Sequence, residues 1–146
     1  MERAYLGEAP PVSAVRACYG EQTVIVWFCV QLEHINAFAG ARDKMPVDCQ
    51  QELARLLLAE YGYLKVTEFM LFFHRLKCGR YGCFYGVVDA MFITAALLLF
   101  AAERRSELSH YEMLHRERAR EEAARRQPGC VTYEEYLEWK RNEDRK

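Results

Sequence analysis

The chain has 146 residues, 51% of them hydrophobic and 28% charged, with 20 Lys and Arg against 21 Asp and Glu for a formal net charge of −1. A chain of this size makes one domain and buries roughly two-thirds of its unfolded surface, so it needs neither disulfides nor a metal to fold. The composition excludes a disordered chain, and the charge balance excludes a protein that coats DNA through bulk positive charge, although not one with a local basic site.

Breakers are few, with four prolines and eight glycines lying mostly between apolar runs. This favours an all-α fold: a single compact multi-helix domain, one long central helix over about 90–126, and a short C-terminal helix. Residues 1–12 hold Pro10-Pro11 and little periodicity, and read as an N-terminal arm before a helical domain over 13–127. No apolar core follows Glu2 and Arg3 before Pro10, so no secretory leader is expected. Of the six cysteines, none forms a C-x-x-C pair and four fall in or beside apolar runs. Reduced, buried thiols of a cytoplasmic protein are the expectation.

Ser13 is placed to cap a short first helix that Gly20 interrupts. The run Val24-Ile25-Val26-Trp27-Phe28 has strand composition, but the apolar pattern continues through Val30, Leu32, Ile35 and Phe38 to Gly40. That length decides for a buried helix over 21–39, with Trp27 in the core. Pro46 suits the first turn of the next helix, which carries Leu53, Leu56, Leu57 and Tyr61 and ends at Gly62. Thr67 is the expected cap of a helix whose stripe is Val66, Phe69, Met70, Phe73 and Leu76.

Asp89 then caps the longest helix. Its first half is apolar nearly all round, which predicts a helix wrapped by the core. The uninterrupted run Ala90 to Ala102 is 13 residues long, short of the roughly 20 that a membrane span needs. Between 103 and 126 seven Arg and six Glu alternate. That pattern reads as a solvated face held by i,i+4 pairs, with a partner-binding helix as the sharper alternative. Gln127-Pro128-Gly129 breaks the chain. Thr132 with Glu135 forms a capping box for a docked final helix within 128–146, where Tyr136 and Trp139 are packing or partner-interface residues.

The stretch between His74 and Val88 carries three firm positive charges and no acid, with Gly79, Gly82 and Gly86 interleaved with aromatics. Read functionally, Arg75, Lys77, Arg80, Tyr81, Phe84 and Tyr85 contact a nucleic acid or a partner, the aromatics stacking while the cations meet phosphates. Read structurally, the same residues make a tight turn between two core helices, with cations at a helix C-terminus. The loop lacks the G-K-[ST] ending of a phosphate-binding loop. Cys78, Cys83, His74 and Cys130 do not have zinc-ligand spacing, His110 and His115 share no face, and no Cys–His or carboxylate pair is selected. No metal, no cofactor and no catalytic residue is expected.

The residues from Leu64-Lys65 through Glu68 to Leu71-Phe72-Phe73, and then from Lys77 to Asp89, follow the pattern L-K-x-x-E-x-x-L-F-F … K-x-G-x-Y-G-x-F-Y-G-x-x-D. This resembles an uncharacterised family of small proteins of prophages and integrative elements in gut anaerobes, over less than a third of the chain. That family often has proline after the aspartate, where this chain has Ala90. The resemblance implies a mobile-element origin and names no activity. The expectation is a non-enzymatic accessory protein that binds a nucleic acid or a nucleic-acid enzyme of DNA replication. The alternative is a protein-binding inhibitor of a host defence system. Either way a protein partner is expected, a nucleic acid is a candidate, and a membrane is not.

Overall fold

The computed structural model describes residues 2–126 and 133–143. They form seven helices, and no β-strand occurs among the described residues: α1 (Glu2–Leu6), α2 (Val12–Tyr19), α3 (Glu21–Ala39), α4 (Val47–Tyr61), α5 (Val66–Lys77), α6 (Ala90–Arg126) and α7 (Tyr133–Glu143). Among these residues no helix is long and apolar enough to cross a membrane. Contacts divide the chain into two units, Met1–Arg105 and Ser106–Lys146, so the division falls inside α6. The break at 127–129 and the cap residue Thr132 lie outside the described residues.

The β-branched run of α3 is helical. Val24, Ile25, Phe28, Leu32 and Ile35 are all buried, the spacing of one helix face. Val26, Val30 and Phe38 point outward instead, and Phe38 is 65% exposed, so the apolar stripe read along this helix runs past the core. Gly40 ends α3 in the left-handed region (φ 58°), which costs a glycine least.

In the first unit α3 packs on α2, α4 and α5. A chain of rings runs through the core: Phe28 on Phe69 (4.8 Å between centroids), Phe72 on Phe73 (5.3 Å) and Phe72 on Phe100 (5.6 Å). Trp27, expected in the core, is half-buried at its edge, 4.9 Å from Phe28. The edge and tilted geometries are those that aromatic quadrupoles prefer.

The segment read as an arm is instead tied down. Tyr5 and Val12 are buried. Val12 and Ser13 amides donate to the Leu64 and Gly62 carbonyls, and the Val66 amide donates to Pro10. The Lys65 ammonium donates to the Tyr5 and Gly7 carbonyls at the end of α1, each at 2.8 Å. Thr67 does not cap α5, because its hydroxyl donates to the Ala4 carbonyl. The capping is done by Glu68, whose Oε2 accepts the Lys65 amide at 2.8 Å.

The α3–α4 connection is clipped by two buried amides. Asn36 and Met45 exchange hydrogen bonds through both backbone groups of Met45 (3.1 and 3.0 Å). Gln50 also donates to the Met45 carbonyl, at 3.0 Å. Both side-chain amides donate to Glu33 as well, and hold its carboxyl below the usual range. Asn36→Ala removes the one acceptor of the buried Met45 amide. A loss of about 2 kcal/mol is expected, measured as a lower urea midpoint at unchanged slope.

The 77–89 loop as a candidate binding site

α5 ends in His74, Arg75 and Lys77, where its macrodipole favours cations. The chain then turns: the Cys78 amide bonds the His74 carbonyl, Gly79 bonds Leu76, and Arg80 bonds Arg75. Gly79, Gly82 and Gly86 all have positive φ (74°, 111° and 79°), so each of the three glycines answers a backbone demand. At Gly82 a Cβ would also meet the Phe92 ring at 3.4 Å. Asp89 caps α6 as its position suggests, its Oδ1 accepting the Met91 amide at 2.9 Å.

The loop is held at two places. Glu103, the first charged residue of α6, receives Arg75 Nη1 (3.1 Å), Arg80 Nε (3.1 Å) and the Tyr81 hydroxyl (3.0 Å). At its far end the Gly86 carbonyl accepts the Asp43 amide, and the Val88 amide donates back to the Asp43 carbonyl, both at 3.1 Å. Phe84 stacks edge-on against Phe92 at 4.8 Å.

This separates the six residues read as a binding set. Arg75 is buried, its guanidinium 5.6 Å from the Phe100 ring, and belongs to the core. Arg80 is exposed but spent on Glu103, and Tyr81 is half-buried beside Phe72. Phe84 is half-buried in ring packing. Tyr85 is 92% exposed. Lys77 is half-buried and borders a cleft of about 180 Å³, shared with Ile35, Phe38, Leu76, Cys83 and Phe84. The positive charge that reads as unopposed along the sequence is opposed in space by Glu103. Tyr136 and Trp139, on α7 of the second unit, are 43% and 59% exposed with ring centroids 6.3 Å apart.

Sequence reasoning passed over Glu103, Asp43 and Phe38. An acid 14 residues beyond Asp89 carries no local signal. Phe38 sits at core spacing in α3, and only the end of the helix shows it to be an outer wall of the cleft. The thiols also differ from expectation, since Cys18, Cys78 and Cys83 are exposed. Cys78 Sγ lies 3.7 Å from His74 Nε2, both exposed at the C-terminus of α5. Among the described residues no three His, Cys, Asp or Glu side chains are grouped to hold a metal ion.

Burial, and then the bond to Glu103, push the Tyr81 phenol above its ordinary value. A raised phenol contributes stability that is complete below about pH 10 and is lost as pH rises through the folded value. Stability of Tyr81→Phe, followed by urea melts above pH 10, is therefore expected to fall less steeply than wild type. Glu103→Ala removes the carboxylate that faces the buried Arg75 guanidinium. It is expected to cost about 3 kcal/mol, with little from the exposed Arg80 pair, and to speed hydrogen exchange of the Arg80 and Gly82 amides.

No curated protein and no solved structure matches this chain. Residues 44–146 match a family of unknown function that takes in α4 to α7 and the whole clamped loop. The chain belongs to that family of unknown function, DUF6633.

Proposed function

We propose that this protein is a non-enzymatic accessory protein of a phage or other mobile element, and that it binds a protein partner, a nucleic-acid enzyme, through the tip of the 77–86 loop. The observation that carries the reading is Tyr85, 92% exposed on a loop hydrogen-bonded to the body of the unit near both ends. A large aromatic held in water on a braced backbone has little conformational entropy left to lose on binding, and aromatics of this kind dominate interface energetics. The neighbouring cleft, walled by Phe38 and Phe84, offers a partner side chain an apolar seat. The mobile-element setting is supported by the sequence pattern over Leu64 to Asp89 and by nothing else.

Direct binding of single-stranded nucleic acid is the second reading. Tyr85 is free to stack on a base, and Lys77 is the loop cation for which no carboxylate partner within 4 Å is found among the described residues. The engagement of Arg75 and Arg80 by Glu103, which offsets one of their two charges and takes up their guanidinium donors, favours a protein partner over phosphates.

A photo-crosslinking residue at position 85, in cells carrying the element, tests both readings. Capture of one protein at position 85 and none at Tyr19, itself 72% exposed, is expected. Tyr85→Ala should then weaken the purified complex at least about tenfold without changing the melting temperature. Nucleic acid in the crosslink, with an affinity that falls steeply with salt, selects the second reading. No crosslink at all sinks both.

A further inference from the structure

The cleft beside the loop is apolar in its walls and basic at one point. Ile35 and Phe38 line it from the end of α3, and Leu76 and Phe84 from the end of α5 and the loop. The Phe38 ring is 65% exposed, and Phe84 is fixed by its edge contact with Phe92. The cleft measures about 180 Å³. An apolar cavity of about 150 Å³ takes up benzene, so this volume suits one phenyl-sized group. A nucleic-acid base, by contrast, stacks on an open ring face and not in a recess for a single side chain.

Among the described residues that line the cleft, Lys77 is the charged one, and no carboxylate lies within 4 Å of its ammonium. The acids around the loop are engaged elsewhere. Glu103 receives Arg75, Arg80 and Tyr81, and that group keeps one net positive charge. Asp89 caps α6, and Asp43 meets the loop at its Gly86–Val88 end. An apolar recess with an unmatched cation at its border is complementary to an apolar side chain that has a carboxylate beside it.

We infer that the cleft receives one phenylalanine side chain from an acidic segment of the protein partner, and that a carboxylate next to that phenylalanine pairs with Lys77. This rests on the reading that a protein partner binds at the loop, and it adds the chemistry the partner presents. A phenyl ring between Phe38 and Phe84 meets aromatic walls, which favour edge and offset contacts. The ion pair at the border stays open to water, so it selects the segment more than it tightens the complex.

Two measurements test it. In the first, the peptide acetyl-Asp-Asp-Phe-Asp-Asp-amide is titrated into the ¹⁵N-labelled full chain. Shifts at the Phe38, Lys77 and Phe84 amides are expected, with a dissociation constant of about 0.1–1 mM. Serine in place of the peptide's phenylalanine should abolish them. Phe38→Ala, at a ring too exposed to be needed for folding, should weaken binding at least about tenfold with the melting temperature unchanged. Lys77→Glu should reverse the charge preference, so that a peptide with lysines in place of the aspartates binds better than the acidic one. A peptide that leaves the cleft amides unmoved overturns the inference, as does a Lys77→Glu chain with its preference unchanged. Oligothymidylate that shifts the same amides at lower concentration also overturns it, in favour of a nucleic acid.

The second measurement uses the complex captured through position 85, which Phe38→Ala should weaken at least about tenfold. A complex that forms there and is indifferent to both Phe38→Ala and Lys77→Glu overturns the cleft's role and leaves the loop-tip reading standing. Peptide binding in the cleft with no capture at position 85 supports the acidic-phenylalanine site while the loop-tip reading fails.

Discussion

The first unit depends on a carboxylate with no access to water. Glu68 is fully buried, and a charge in that position is tolerable only if its lone pairs are filled. One oxygen accepts the Lys65 amide and starts α5, while the other accepts Arg104 Nε at 2.7 Å and ties α5 to α6. Two turns further along α5 the polarity reverses: Arg75 is the buried base, and Glu103, adjacent to Arg104, is the acid. On α5 Phe72 lies between the two, and it rests on Phe100, one turn before Glu103 and Arg104 on α6. An apolar contact beside two ion pairs of opposite sense specifies register, because sliding α6 by one turn would break both pairs at once.

The loop inherits its shape from this arrangement. Since Glu103 is already fixed by its place in the α5–α6 contact, it serves as an anchor for Arg80 and Tyr81. The basic residues that suggest a phosphate site are therefore part of the scaffold, and what remains on display is aromatic. This is a common division of labour in binding loops, where a rigid frame positions a small number of free side chains.

What could be read from the sequence was local. Helix α3, the cap at Asp89, and the stops at Gly40 and Gly62 all follow from periodicity and backbone preference over a few residues. What could not be read was distant in the chain. Glu103 meets a loop more than 20 residues earlier, and the segment around Pro10 bonds to Leu64 and Val66. The composition of α6 was misleading for a different reason. Apolar residues on every side signal burial on every side, whereas Met91, Leu98 and Leu99 are exposed and only the face of Ile93, Leu97 and Phe100 is buried. The candidate site was half legible for the same cause: glycine and aromatic spacing located the loop, while the accounting of its charge required the fold.

The stitching of residues 4–13 to Gly62–Thr67 also has a consequence during synthesis. The Lys65 ammonium bonds a carbonyl 60 residues earlier, and the Thr67 hydroxyl one 63 residues earlier. At about 5–20 residues per second, a ribosome spends roughly 3–12 s between the two partners. Through that interval the carbonyls of Ala4, Tyr5 and Gly7 lack the side-chain donors they meet in the fold, although the Pro11 carbonyl can already accept the Ala14 and Val15 amides. Residues 4–13 thus gain these bonds only once the start of α5 has been made, so their shielding waits on a partner far along the chain and not on their neighbours.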